Sequence, residues 1–266
     1  QPERSRPVCY EPTDRPPIAP MAGGSVETEQ RELTAADGNH LAAFTARTGE
    51  RPSPHAVLIL PDVRGLHPFY EALAERFAEA GVDALAIDYF GRTAGASRRD
   101  DTFDYMTHTV QTTWAGLSAD IEAGAAALQP GGARPVYTVG FCFGGRASFL
   151  SATLTAPGFA GVIGFYGPPG PSRHTTPAPI DSAARFTCPV LGLFGGADQG
   201  IPAEQVSDFD RALQAAGVRH ELVTYPDAPH SFFDRKATDY AAASADAWRR
   251  ILAFVGAPGI PAGNAA

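Results

Sequence analysis

Short apolar segments alternate with longer amphipathic segments through most of this chain, and that alternation narrows the choice of fold. Six apolar or β-branched runs have the length of buried strands, and they cover residues 56–61, 82–88, 136–140, 161–167, 189–195 and 220–226. Apolar residues recur at three- and four-residue spacing, as on helices with one buried face, in 69–81, 108–128, 146–154, 203–217 and 238–256. The pattern predicts an α/β fold, with a mainly parallel twisted sheet covered by helices on both faces.

The N-terminal part of the chain has a different pattern. Two extended runs, 26–33 and 40–46, flank the turn sequence Asp37-Gly38. An Asp-Gly pair between two extended runs is typical of a β-hairpin. We therefore expect these runs to form an antiparallel N-terminal edge of the sheet.

The two ends of the chain lack the periodicity of the rest. Residues 1–25 are dense in proline, which is typical of an extended arm, and residues 257–266 form a short tail of mostly glycine, alanine and proline. No internal repeat or second core is evident between them. The sequence thus predicts one α/β domain over residues 26–256, preceded by an arm and followed by a flexible tail.

Charge and cysteine content restrict the partners of the protein. A formal net charge of −8 argues against a general nucleic-acid or anionic-membrane surface, and no apolar run approaches the ~20 residues of a membrane span. Cys9, Cys142 and Cys188 lack the spacing of a zinc site or a disulfide framework. We expect a small-molecule partner, no metal and a cytoplasmic protein, although a chain that begins with Gln1 leaves secretion open.

Cys142 stands where a predicted strand meets a predicted helix, in the sequence Gly-Phe-Cys-Phe-Gly-Gly of residues 140–145. One interpretation is a buried thiol that acts as a small hydrophobic residue. The other is a nucleophile elbow, the G-x-S-x-G turn of α/β-hydrolases, with cysteine in place of serine. Small residues on both sides of the thiol, and the following helix N-terminus, favour the nucleophile.

A nucleophile of this kind needs an acid and a histidine later in the chain, in that order. Asp198 follows the predicted strand at 189–195, and His230 follows the one at 220–226. Asp198 could instead cap the next helix, and His230 could be an ordinary loop histidine. Their order and their places after two strands favour a Cys142–Asp198–His230 triad.

An oxyanion hole in this fold takes one N–H from the residue after the nucleophile and another from the loop after an early strand. These donors would be Phe143 and Val63. Asp62 and Arg64 flank Val63, and as charged loop residues they could simply be solvated.

Taken together, residues 26–256 resemble the dienelactone hydrolase family of the α/β-hydrolase superfamily, also called carboxymethylenebutenolidase-like. The resemblance is carried by the sequences GFCFGG, GGAD and PHSFF, in that order, with PDVRG and DYFGR in support. It implies cleavage of a lactone or activated ester through a thioester on Cys142. It further implies His230 as base, Asp198 as orienting acid, Val63 and Phe143 as oxyanion donors, and no cofactor.

The resemblance also implies roles for three charged residues. Asp62 stands where the family has a carboxylate, usually glutamate, that contacts the resting thiol. Arg92 matches an arginine that holds a substrate carboxylate, and Arg64 replaces what is often an apolar pocket residue. A second family arginine is not matched, because Asp234 and then Arg235 follow in its place. We therefore expect Arg92, with Arg64, to bind an anionic substrate, although dienelactone itself is not implied.

Two other functions stay open from the sequence. The fold could serve a non-catalytic binding protein for small molecules, or an isomerase or lyase could use the same pocket. A pure binding protein has no need for an aspartate and a histidine in triad order, so we favour a cofactor-independent hydrolase, monomeric or homodimeric, of a small-molecule ester or lactone.

Overall fold

The computed structural model describes residues 15–20, 25–49, 53–129, 134–156, 158–171 and 177–257. Most of the predicted arm and tail lies outside these ranges, and so does Cys9, so the division into arm, domain and tail stays a prediction.

Eight strands form one sheet in the order β1-β2-β4-β3-β5-β6-β7-β8. Strands β1 and β2 run antiparallel to each other, β2 runs antiparallel to β4, and all remaining neighbours are parallel. The strands are β1 Val26–Thr34, β2 His40–Thr48, β3 Ala56–Leu60, β4 Asp83–Ile87, β5 Val136–Phe141, β6 Gly161–Phe165, β7 Val190–Gly195 and β8 His220–Tyr225. This arrangement confirms the predicted α/β-hydrolase-type sheet and its antiparallel N-terminal edge.

Helices connect the parallel strands. They are α1 Pro68–Glu79, α2 Gly91–Ala94, α3 Tyr105–Thr109, α4 Trp114–Ala127, α5 Phe143–Ser151, α6 Pro179–Ser182, α7 Ala203–Ala215 and α8 Ala241–Val255, with a short 3₁₀ turn at Ala183–Arg185. Every residue of β3, β4, β6 and β7 is buried. Strands without an exposed face must be covered on both sides, which explains their continuous apolar runs.

The predicted helix over 108–128 is in fact two helices. The chain leaves α3 after Thr109 and begins α4 only after Thr113, whose side chain accepts a hydrogen bond from the Gly116 N–H at 3.2 Å. A threonine that caps a helix N-terminus satisfies an N–H that has no partner inside the helix. The cap therefore fixes the start of α4 within a stretch whose apolar periodicity is continuous.

Parallel packing places the carboxyl ends of β3, β5, β6, β7 and β8 along one edge of the sheet. The loops that leave these ends carry the residues that the sequence predicts for the site, which is where ligands bind in open α/β sheets. Among the helices of the described ranges, none is both long and apolar enough to cross a membrane.

Candidate active site

Cys142 connects β5 directly to α5 through a strained turn. Its backbone has φ 53° and ψ −110°, a combination that costs about 1–3 kcal/mol for a residue other than glycine. Its N–H donates to Phe165 O at 3.0 Å, and its carbonyl accepts from Arg146 N at 3.1 Å. These bonds fix the thiol at the carboxyl end of β5, as a nucleophile elbow requires.

The glycines around Cys142 allow this turn. A Cβ on Gly140 would lie 1.9 Å from the carbonyl oxygen of Gly144, and a Cβ on Gly144 would lie 2.1 Å from that of Leu60. Both distances are far inside van der Waals contact with backbone atoms. The small residues two before and two after the thiol are therefore required by close approach of strand and helix.

The structure brings together the three predicted triad residues. His230 Nδ1 lies 2.7 Å from Asp198 Oδ2, and the His230 side chain also forms a hydrogen bond with Cys142. The other carboxylate oxygen of Asp198 accepts the N–H of Gly200 at 2.8 Å. Asp198 does not cap α7, which begins after Pro202 without a side-chain cap.

The electrostatics of the triad favour a protonated imidazole. Burial lowers the pKa of His230, but the hydrogen bonds to Asp198 and Cys142 raise it more strongly, to about 10. Burial raises the pKa of Asp198, and the contact with His230 together with backbone N–H groups outweighs this and lowers it. At neutral pH the pair is thus a carboxylate and an imidazolium, and the imidazolium lies beside Cys142.

The two predicted oxyanion donors lie in the elements that the sequence indicates. Phe143 is the first residue of α5, so its N–H has no acceptor within the helix. Val63 lies in a turn after β3, in which Gly65 N donates to Asp62 O at 3.1 Å and Arg64 N donates to Asp62 Oδ1 at 2.8 Å. The Asp62 side chain therefore closes the turn around Val63.

Asp62 and Arg64 have partners that differ from those expected. Arg64 Nε lies 3.0 Å from each carboxylate oxygen of Asp62, and its Nη2 lies 3.3 Å from Asp234 Oδ2. Asp62, Arg64 and Asp234 thus form a buried ion cluster, and the expected roles of Asp62 at the thiol and of Arg64 toward a substrate anion stay predictions.

Arg92, which we expect to bind a substrate carboxylate, contacts two carboxylates of the protein itself. Its guanidinium contacts Asp37 in the β1–β2 turn at 2.5 and 3.1 Å, and Asp120 in α4 at 2.8 and 3.3 Å. Two carboxylates already match its charge and its fork of donors. Arg92 therefore connects the N-terminal hairpin to α4.

Two residues near the triad were not singled out from the sequence. Tyr166 directly follows β6 with φ 36°, is fully buried, and packs its ring against His230 at a centroid distance of 4.8 Å. Asp234 lies four residues after His230 and is 4% exposed. The position of Tyr166 at a strand end was an available signal, whereas the partner of Asp234 lies 170 residues away along the chain.

Within the residues that the structure describes, no three or more His, Cys, Asp or Glu side chains are arranged to hold a metal ion. The chemistry that these residues can perform is nucleophilic attack by sulfur, with proton transfer by imidazole.

Comparison with known proteins identifies the family to which the chain is similar. The sequence model of the family described as "Dienelactone hydrolase family" matches residues 41–258. A protein of Escherichia coli O157:H7 named "Putative carboxymethylenebutenolidase" is 29% identical over 250 residues, which are 89% of this chain and 92% of that protein. A protein of the same name from Methylorubrum extorquens is 31% identical over 240 residues, with 88% and 82% covered.

A solved structure is similar along nearly the whole fold. The crystal structure described as "Putative Dienelactone Hydrolase from Klebsiella pneumoniae" superposes with a TM-score of 0.76 and 27% sequence identity. The match covers 87% of this chain and 99% of that chain.

Proposed function

The chain belongs to the dienelactone hydrolase family and is an ester or lactone hydrolase, and from this premise we propose that it acts through a thioester on Cys142. The observation that carries the proposal is the hydrogen-bonded series Cys142–His230–Asp198 at the carboxyl edge of the sheet. The family membership also argues against a pure binding protein, an isomerase or a lyase.

Acylation begins when the Cys142 thiolate attacks the carbonyl carbon of the ester or lactone. The carbonyl oxygen becomes an oxyanion, and the N–H groups of Val63 and Phe143 donate hydrogen bonds to it. As the intermediate collapses, the C–O bond breaks and the His230 imidazolium gives its proton to the leaving oxygen. In a lactone, the leaving oxygen stays attached to the acyl group through the opened ring.

Deacylation uses the same residues in the opposite sense. Neutral His230 takes a proton from water while the water oxygen attacks the thioester carbonyl. The second oxyanion collapses, the C–S bond breaks, and the thiolate leaves beside the imidazolium. Asp198 orients His230 throughout and stabilises its positive charge, as the acid of a triad does. The product is the free acid of the acyl group, and the enzyme returns to its starting state.

The proposed substrate is a lactone or activated ester without a fixed requirement for a carboxylate. The two arginines expected to bind an anion, Arg64 and Arg92, are each matched by two carboxylates of the protein. An activated acyl group suits a thiolate nucleophile, because its leaving oxygen needs little assistance beyond the proton of His230.

The direct test is Cys142→Ala, with Cys188→Ala as matched control. Loss of the nucleophile should lower kcat/KM for p-nitrophenyl acetate by about 10³-fold or more, with unchanged circular dichroism. Cys188 is a buried thiol next to β7 and should tolerate alanine with wild-type turnover. Wild-type turnover by Cys142→Ala would refute the mechanism.

A further inference from the structure

A buried ion cluster joins the loop that carries Val63 to the loop that carries His230. The cluster consists of Asp62, Arg64 and Asp234, whose side chains are between 0% and 3% exposed. Arg64 binds Asp62 within its own loop and Asp234 across 170 positions of sequence. The cluster is thus a tertiary link between the proposed oxyanion turn and the proposed base.

On the oxyanion side, the cluster is part of the turn itself. Asp62 Oδ1 accepts the backbone N–H of Arg64, so this carboxylate spans Val63. The backbone of Asp62 is held on both sides, since its N–H donates to Tyr70 Oη at 3.0 Å and its carbonyl accepts from Tyr89 Oη at 2.9 Å. A shift of the Asp62 side chain would therefore move the Arg64 end of the turn relative to an Asp62 backbone that the two tyrosines hold, and Val63 lies between these two points.

On the histidine side, the cluster is attached to the residue after His230. Asp234 N donates to Ser231 O at 3.3 Å, and Asp234 Oδ1 accepts from Arg235 N at 2.5 Å. Ser231 has φ 63°, a left-handed conformation that is costly for serine. The backbone that follows this strained residue is thereby fixed relative to Arg64.

Stability alone does not account for such a cluster. Burial raises the pKa of Asp234 although the charge of Arg64 acts to lower it, so the cluster includes a carboxylate that is costly to keep ionised. Apolar side chains of similar volume often replace buried ion pairs without loss of stability. What apolar packing would not supply is a directional bond between the two loops.

We propose that Arg64 and Asp234 are positioning residues that hold the Val63 N–H in register with Cys142 and His230. The inference rests on the proposed function, because it assigns the cluster to the oxyanion hole of that mechanism. Neither residue needs to touch the substrate. Their contribution is to orient the donor that stabilises charge on the carbonyl oxygen in the transition state.

The test separates oxyanion stabilisation from thiol reactivity in the same protein. Hydrolysis of p-nitrophenyl acetate builds charge on the carbonyl oxygen, whereas alkylation by iodoacetamide forms a C–S bond and releases iodide without building it. Asp234→Asn should lower kcat/KM for the ester at least about tenfold, chiefly through kcat, because displacing an oxyanion donor acts on the transition state. The second-order rate of Cys142 alkylation should stay within about twofold of wild type.

The matched control breaks a buried ion pair at the opposite edge of the sheet. Asp83, at the start of β4, binds Arg134 Nη1 at 2.6 Å and is 3% exposed. Asp83→Asn should lower stability but leave both rates at wild-type values. A parallel loss of hydrolysis and alkylation in Asp234→Asn, or a loss of neither, would overturn the proposal.

A second variant keeps the test decisive if Asp234→Asn folds poorly. The triple substitution Asp62→Asn/Arg64→Met/Asp234→Leu replaces the link by apolar packing and should fold, because it leaves no unpaired buried charge and keeps an amide oxygen at position 62 to accept the backbone N–H of position 64. We expect it to alkylate normally and to hydrolyse slowly, and wild-type hydrolysis would overturn the assignment. Failure of the proposed function would look different, since Cys142→Ala would then retain activity.

Discussion

The His230 imidazole lies between a carboxylate and a thiol, and its proton is the most informative single feature of the site. The fold raises the pKa of His230 from the ordinary value of 6.5 to about 10. The folded state therefore binds this proton more tightly than the unfolded chain does. The same proton is the one that the proposed mechanism gives to the leaving oxygen.

The stability of the protein should depend on pH through His230. Because the folded-state pKa is the higher one, the contribution of this proton is fully present below about pH 6.5 and is lost as the pH rises toward about 10. Urea unfolding of the wild type should show a falling free energy of unfolding from pH 7 to 10. The free energy of unfolding of His230→Gln should fall less over that interval. Equal pH slopes for the variant and the wild type would contradict the raised pKa of His230.

The two described thiols should differ sharply in reactivity. Burial raises the pKa of the Cys188 thiol to about 12, whereas Cys142 is partly exposed beside an imidazolium. A thiolate is the reactive form, so iodoacetamide at pH 8 should modify Cys142 at least about 100-fold faster. Peptide mapping after brief labelling measures both rates, and faster labelling of Cys188 would reverse the assignment.

The Tyr166 hydroxyl has no hydrogen-bond partner within the described part of the chain, although it is buried beside His230. Tyr166→Phe should therefore leave the free energy of unfolding unchanged or raise it by up to about 2 kcal/mol. Tyr225→Phe is the control, because the Tyr225 hydroxyl donates to Asp246 at 2.9 Å, and it should cost about 1 kcal/mol. A larger loss for Tyr166→Phe than for Tyr225→Phe would show that the hydroxyl has a structural partner.

At this scale the sequence predicts residue types better than contacts. Cys142, Asp198 and His230 each follow a strand, so their meeting can be expected from strand order alone. Arg92 and Arg64 were recognisable as charges near strand ends, but their partners Asp37, Asp120 and Asp234 come from distant segments. Only tertiary packing determines which carboxylate a guanidinium meets.

At the scale of elements, the connection from β5 to α5 is the part of the fold most constrained by the site. Strand and helix meet with no loop, so the helix begins at Phe143 and not at the predicted residue 146. Local periodicity did not reveal this helix start, because the glycine-rich sequence of residues 140–145 is typical of a turn. The same limitation hid the cap at Thr113 that divides the stretch 108–128.

The elbow should not tolerate a methyl group at Gly144. The added Cβ of Gly144→Ala would lie 2.1 Å from Leu60 O, a backbone atom that cannot move away cheaply. We expect a loss of about 1–3 kcal/mol or more in the free energy of unfolding, together with lower turnover. Gly170→Ala is the control, because its nearest contact is the flexible Gln205 side chain at 3.0 Å, and it should lose much less. Equal losses would contradict the role of close backbone approach.

At the scale of the whole molecule, the sheet gathers the functional loops at one edge and attaches an antiparallel hairpin at its side. The fold class was predictable, because buried parallel strands have continuous apolar sequences. The antiparallel edge formed by the hairpin was predictable as well, but its ionic link to α4 was not, since Arg92, Asp37 and Asp120 come from three separate parts of the chain.

Arg92→Ala should therefore act on stability and not on substrate choice. It leaves the buried Asp120 without its cation, which should lower the free energy of unfolding by about 1–2 kcal/mol after allowance for the partly exposed guanidinium. Its kcat/KM values for an anionic ester and its neutral methyl ester should both stay within about twofold of wild type. A loss of kcat/KM confined to the anionic ester would contradict this prediction and would indicate that Arg92 binds the substrate carboxylate.

The central claim is a covalent thioester on Cys142, and rapid quenching followed by mass spectrometry tests it most directly. Wild-type enzyme mixed with p-nitrophenyl acetate and quenched in acid during the burst should gain the mass of one acetyl group. Peptide mapping should place that group on the peptide containing Cys142, and hydroxylamine should remove it. Full turnover without an acetylated intermediate, or an acetyl group on another residue that turns over at the catalytic rate, would contradict the account.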